Sequence, residues 1–283
     1  MTLALDDTMN NLEQLFSFAY ALRPRPQTYL KMKYLILLLL GASLWSCDTA
    51  TSKKELSAQA IVDKSIAKAG GAIIANAAIH FKFRDYYYKA TRQNGVRTLE
   101  RCTDAECQQQ QDVLRSDGSF ERFRESARLQ LSDSLQQLYG NSVNSVHYFS
   151  VLPYGLNDPA VKKSLIGEHR VKEQPYYLIK VQFAQDGGGD DFQDQYLYWI
   201  HKTTYAVDYL AYNYQTNEGG TRFRAAYNPR TIEGVRFVDY KNYKPARQFP
   251  ALSSLDSLFE NDKLELLSTI DLESITVTPC PKC

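Results

Sequence analysis

Five cysteines, four histidines and one dense group of aspartates are the residues of this 283-residue chain whose chemistry goes beyond packing. Cys102 and Cys107 stand with four residues between them, and Cys280 and Cys283 close the chain as Cys-Pro-Lys-Cys. Together they have zinc-ligand spacing, but in an oxidising compartment the same thiols are expected as disulfides. Two local pairs, Cys102 with Cys107 and Cys280 with Cys283, close small loops without requiring distant segments to meet. The terminal string also has the spacing of a thioredoxin site, yet no helix follows it to lower a thiol pKa. His80, His147, His169 and His201 form no H-x-x-H or H-E-x-x-H pattern that would put two ligands on one helix face. His147 could serve as a general base beside Asp158, but the expectation is a strand residue packed among Tyr148 and Phe149. Asp186, Asp190, Asp191 and Asp194 flank three consecutive glycines and offer hard oxygen ligands for Ca²⁺. Their spacing is not that of an EF-hand, and a solvated hairpin loop explains the same residues. With no G-x-S-x-G elbow, Walker loop or dinucleotide fingerprint, the sequence leads us to expect no catalytic residue, no metal and no cofactor.

The compartment is set upstream. From Met32 the chain reads Lys33 as a basic region, Tyr34 to Leu40 as an apolar core, then small residues before Cys47, which is the grammar of an export signal. The apolar stretch from Tyr34 to Trp45 is shorter than the roughly 20 residues that span a bilayer. Leu44-Trp45-Ser46-Cys47 resembles the bacterial lipobox, with Trp where Ala or Ser is more usual. Cys47 is therefore expected to be lipidated and to become the mature N-terminus. Signals run about 15 to 30 residues, so translation is expected to begin at Met32, leaving 1–31 as a non-native or disordered extension. The expected organisation is signal peptide 32–46, lipidated Cys and polar tether 47–56, and one domain over 57–283. The expected place is the cell envelope, on the outer membrane facing the periplasm.

The elements behind these residues are mainly strands. Lys+Arg 33 against Asp+Glu 32 gives a net charge of +1, which points away from a nucleic-acid partner. The 20 Tyr and 13 Phe fall mostly in alternating runs, which favour antiparallel strands. Ala58, Ile61, Val62, Ser65, Ile66 and Ala69 repeat at helical spacing, with Ser57 placed to cap and Gly70-Gly71 to terminate. Asn94-Gly95 and Asp117-Gly118 predict two tight hairpins. A second helix is expected over 128–139, a short one over 253–260, and strands over 146–152, 176–184, 196–200, 205–214, 221–227, 235–243 and 268–277.

The run from Val146 through Tyr154-Gly155-Leu156-Asn157-Asp158-Pro159, the run from Asp186 to Asp191, and Ala211-Tyr212-Asn213-Tyr214 followed by Gly219 to Arg224 resemble an uncharacterised family of Bacteroidota lipoproteins. More distantly, the opening helix ending in Gly-Gly and the hairpin Tyr198 to Tyr205 resemble Lol-type carriers, which shuttle lipoproteins across the periplasm. His201 stands in that turn where such carriers often have Asp. The resemblance implies a mostly β (α+β) fold, a curved antiparallel half-barrel sheet closed by helices over an apolar cavity. Ile61, Val62 and Ile66 of the helix and Tyr196, Tyr198, Tyr212 and Tyr214 of the strands are the cavity candidates. The function so implied is a membrane-anchored, non-enzymatic protein that binds a lipid, an acyl chain or another hydrophobic molecule. The alternatives are an envelope hydrolase using His147 or a loop-bound metal, and a protein-binding scaffold. Oligomeric state is not legible in the sequence.

Overall fold

A computed structural model describes residues 56–184, 194–215 and 219–280. The segment expected to be an export signal, Cys47, the aspartates of 186–191 and Cys283 lie outside them. The described residues belong to one compact unit beginning at Leu56.

Helix α1 (Ala58–Lys68) starts where Ser57 caps it, the Ser57 hydroxyl oxygen accepting from the Ala60 N–H at 3.2 Å. It ends because Gly70 takes a left-handed φ of 88°. A short turn of helix, α2 (Gly71–Ile74), leads into β1 (Ala77–Phe83), β2 (Tyr86–Gln93), β3 (Val96–Cys102), β4 (Gln110–Arg115), β5 (Phe120–Arg124) and β6 (Ala127–Arg128). Both predicted hairpins are present, between β2 and β3 and between β4 and β5. The long helix α3 (Asp133–Ser150) follows, then a 3-10 turn (Tyr154–Asn157). The second half runs β7 (Val161–Val171), β8 (Gln174–Phe183), β9 (Gln195–His201), β10 (Val207–Tyr214), β11 (Gly220–Ile232), β12 (Val235–Pro245), α4 (Leu255–Glu260), β13 (Leu264–Ile270) and β14 (Glu273–Pro279).

The fold is mostly antiparallel β, in two open curved sheets with few helices. Among the described residues each sheet has seven strands in chain order, a meander, except that β14 returns to the first sheet and pairs with β1. Asp271 and Leu272 carry the chain from one sheet to the other. The second sheet is apolar on both faces. Tyr196, Tyr198 and Ile200 of β9 pack under α1 with Ile61 and Val62, while Leu197 and Trp199 pack on the opposite face with Leu252 and Leu255. A further cluster joins the two sheets, with Ile79, Phe81 and Tyr88 meeting Val235 and Phe237 of β12. Helix α3 covers the first sheet, Val143 packing with Ala90, Leu99 and Phe120.

Three expectations are corrected. The second helix spans 133–150 rather than 128–139, and the strand expected over 146–152 is the end of that helix and the connection that follows. Gly140, Val143, His147 and Ser150 are its buried residues, a helical spacing that the mostly apolar and aromatic run from Val146 to Leu152 conceals. The strand expected over 268–277 divides at Asp271-Leu272 between β13 and β14. Finally, β7 was not anticipated, because an edge strand with one wet face carries lysines, Glu168 and Arg170 where a central strand would be apolar.

Candidate functional site

The tight turn at Asn94-Gly95, with φ of 50° and 80°, fixes the register of β2 against β3. Gln93 then faces Val96, and Arg92 lies directly opposite Arg97. Along β2 the inward positions are Tyr88, Ala90 and Arg92, so an arginine occupies a place where alternation calls for an apolar side chain. Two like charges opposed across an antiparallel pair repel each other. The turn is held in place at Arg97, whose N–H donates to Ser116 Oγ at 2.6 Å and whose carbonyl accepts from that hydroxyl at 3.0 Å.

This pair opens on a cleft of about 750 Å³. Its walls come from the β2–β3 hairpin, the end of α3, the 154–160 connection and Ala184 at the end of β8. Val96, Leu99, Val151, Tyr148 and Tyr154 supply apolar surface, and Arg92, Arg97 and Asp158 are the charged residues of the lining. Gly155 permits the connection to close on the Tyr148 ring, since a Cβ there would sit 2.4 Å from that ring. The volume falls within the roughly 300–1,000 Å³ of small-molecule sites.

The electrostatics of the cleft are unbalanced. Arg97 meets Asp158 at 3.8 Å, both half exposed. Arg92 is only 7% exposed, lies 5.6 Å from the centre of the Tyr154 ring, and its Nη1 has no hydrogen-bond partner. Burial lowers the Arg92 guanidinium to about 10, so it stays charged at neutral pH. Burial likewise raises the Asp158 carboxyl above its ordinary value, against the pull of Arg97 and Arg92. The buried side chain of Arg101, further along β3 from Arg97, shows the contrast. It shares the fully buried Asp112 with Arg122, its Nη2 donating at 2.6 Å, so its charge is met within the sheet.

His147 also lines the cleft, on the buried face of α3. Its Nε2 donates to the Glu100 carbonyl at 3.0 Å, and its ring meets Phe81 and Tyr88 edge-on at 5.7 and 5.4 Å. Burial pushes it to about 3, with the nearby arginines adding to the effect, so the ring is neutral at physiological pH. A base that weak has little driving force to take a proton near neutrality. The packed role expected of His147 is what the geometry gives it, on a helix instead of a strand.

Cys102 and Cys107 form a disulfide, with Cα atoms 5.0 Å apart. Glu100 lies close enough to the two sulfurs to suggest a metal group, but sulfurs bonded to each other offer no thiolate. Cys280 is disulfide-bonded as well, and its expected partner Cys283 lies outside the described residues. Of the aspartate cluster, Asp194 alone is described, and it is buried.

Over residues 33–272 the sequence matches DUF6503, described as a family of unknown function. The chain belongs to that family. No curated protein matches it. Among solved structures it is similar to a DUF1329 family protein from Desulfovibrio piger, with TM-score 0.46 and 11% identity over 77% of this chain and 92% of that one. It is also similar to a LolA superfamily protein from Nitrosomonas europaea, with TM-score 0.43 and 15% identity over 80% and 96% of the two chains. A third, a putative outer membrane lipoprotein-sorting protein domain from Vibrio parahaemolyticus, gives TM-score 0.38 and 8% identity over 64% and 83%.

In this DUF6503 chain six of the seven residues expected around an apolar cavity lie in or against one packed cluster. Ile61, Val62, Tyr196 and Tyr198 are buried in one cluster, with Ile66 and Tyr212 partly buried against it. Tyr196 stacks on Tyr212 at 5.4 Å, and Tyr214 follows outside the cluster, beneath Arg222. They fill the interior. A nearby apolar hollow, lined by Phe149, Val238 and Tyr240 among others, holds about 80 Å³, well short of the roughly 300 Å³ of a small-molecule site. The large cleft holds both His147 and Asp158, which the sequence had suggested as a pair, together with two residues that sequence reasoning passed over, Arg92 and Arg97. Their signal was there: a two-residue turn sets the register, and the register opposes two arginines.

Proposed function

We propose that this DUF6503 chain is an envelope lipoprotein, anchored through Cys47, whose domain binds an apolar or amphipathic small molecule without catalysis. The reading places the ligand in the cleft beside the β2–β3 hairpin. The observation that carries it is the cleft itself, whose volume of about 750 Å³ and aromatic and aliphatic walls suit a lipid-sized molecule. The weakly basic His147 supports binding over hydrolysis. The export signal supports the envelope and the outer membrane as its place, with the periplasm as the source of ligand.

The test is a titration of the mature domain with an environment-sensitive fatty-acid probe, repeated on Ala160→Trp, which plugs the cleft, and on Ile66→Trp at the edge of the α1 core. Saturable binding lost in the first variant and kept in the second is expected. Loss in the second alone would move the ligand under α1. No binding by the folded wild-type domain would leave the protein-binding scaffold as the better reading.

A further inference from the structure

We propose that the cleft selects amphiphiles bearing a single negative charge, an oxyanion head group seated on Arg92 with its apolar tail along Val96, Leu99 and Val151. This inference rests on the reading of the cleft as a ligand site and names the chemistry of the ligand.

Three observations converge on it. Arg92 is more than nine-tenths buried, faces the cleft, and leaves Nη1 without a partner. A buried donor left unmade is costly, and the cost is greater when the group is charged, so something outside the chain is needed to complete it. Arg97 stands directly across the hairpin, so two like charges are opposed there with one half-exposed carboxylate, Asp158, paired to Arg97 and, among the described residues, none bonded to Arg92. The charge of the lining then favours an anion of low valence. Two arginines face one aspartate, and His147 is neutral, so the lining by itself carries a surplus of one positive charge. A carboxylate or a phosphodiester, each carrying one negative charge, balances that surplus, and a guanidinium is suited to donate to two oxygens of either. The apolar part of the lining favours an anion that carries an apolar tail over a bare hydrated anion such as sulfate. The head group belongs deep, at Arg92, and Arg97 with its partner Asp158 stands at the more exposed side.

The stability of the apo protein supplies an independent handle, because a buried charge without a counter-ion destabilises the fold. Replacing Arg92 by Met keeps the apolar stem of the side chain and removes the charge. The experiment measures the affinity of the mature protein for dodecanoate, for lysophosphatidylglycerol and for uncharged dodecanol, and the thermal midpoint of each protein with and without them. The wild type is expected to prefer at least one of the two anions to dodecanol by about tenfold or more. Which anion is preferred separates a free fatty acid from a phospholipid as the source. Arg92→Met is expected to lose that preference while its ligand-free thermal midpoint stays level or rises. Arg97→Gln is expected to weaken anion binding by a smaller factor. Equal affinity of the wild type for the anions and dodecanol overturns the proposal while leaving the cleft a ligand site. Binding of none of the three by the folded protein overturns both. A preference for anions that survives in Arg92→Met also overturns it.

Discussion

His147 is held far from its ordinary protonation. It is buried against Phe81 and Tyr88, with three arginines acting on it, and is held neutral to about pH 3, whereas in the unfolded chain it takes a proton near pH 6.5. Between those values the unfolded state binds more protons than the native one, so stability is full above pH 6.5 and falls as the pH drops toward 3. About two pH units below 6.5 this one group is expected to remove about 2–3 kcal/mol. Denaturant unfolding at about pH 8 and about pH 4.5 checks it: the wild type should lose about that much more than His147→Gln over the interval, and parallel losses would show that the imidazole is not responsible. The same enclosure explains why sequence reasoning, which saw His147 beside Tyr148 and Phe149, found its packing but not its neighbours. Those neighbours come from β1, β2 and β3, far from α3 along the chain.

Among the elements, α1 shows how closely local signals can agree with tertiary need. Ser57 caps it, the stripe of Ile61 and Val62 seats it on Tyr196 and Tyr198, and Gly70 ends it. Gly70 is bound by two constraints at once, a φ of 88° and a Cβ position only 2.3 Å from the Gly234 carbonyl oxygen of the β11–β12 turn. Gly70→Ala is therefore expected to cost about 1–3 kcal/mol from the backbone conformation alone, and more from the displaced turn. Gly95→Ala is its control, because that glycine has a similar φ with open space around it. A chemical denaturation series should rank Gly70→Ala as the more damaging; equal losses would mean that the contact with the turn carries nothing. Helix α3 shows the opposite case. Its last turns read as a strand because Val146 to Leu152 is almost continuously apolar or aromatic, and only the sheet beneath it selects the helical spacing.

At the scale of the whole molecule, the two sheets depend on the last strand. β14 pairs with β1 and its Val277 joins the cluster shared with Phe237 of the other sheet. Ending the chain after Leu272 would leave β1 as an open edge and uncover that cluster, so the truncated protein is expected to lose its cooperative thermal transition and to aggregate. A sharp transition retained by the truncated protein would show that β14 only decorates the sheet. The envelope reading has its own test. Cys47→Ser should lose all labelling by a clickable fatty acid in cells, since a thiol is the point of attachment, and labelling that persists in this variant would remove the anchor from the account. What the sequence determined by itself is what depends on neighbours in the chain: the α1 stripe and its caps, the two glycine turns, the short-loop Cys102–Cys107 pair and the antiparallel alternation of the strands. What only the tertiary structure decided is what depends on residues distant in the chain. The division into two sheets rests on two crossings, one through α3 between β6 and β7 and one at Asp271-Leu272 between β13 and β14. The filling of the interior by Tyr196 and Tyr198 rests on how closely α1 approaches them, which no periodicity reports. The charge of the cleft rests on Asp112 reaching Arg101 and not Arg92, a choice made by strand register across the sheet, and it leaves Arg92 buried with its Nη1 unpaired.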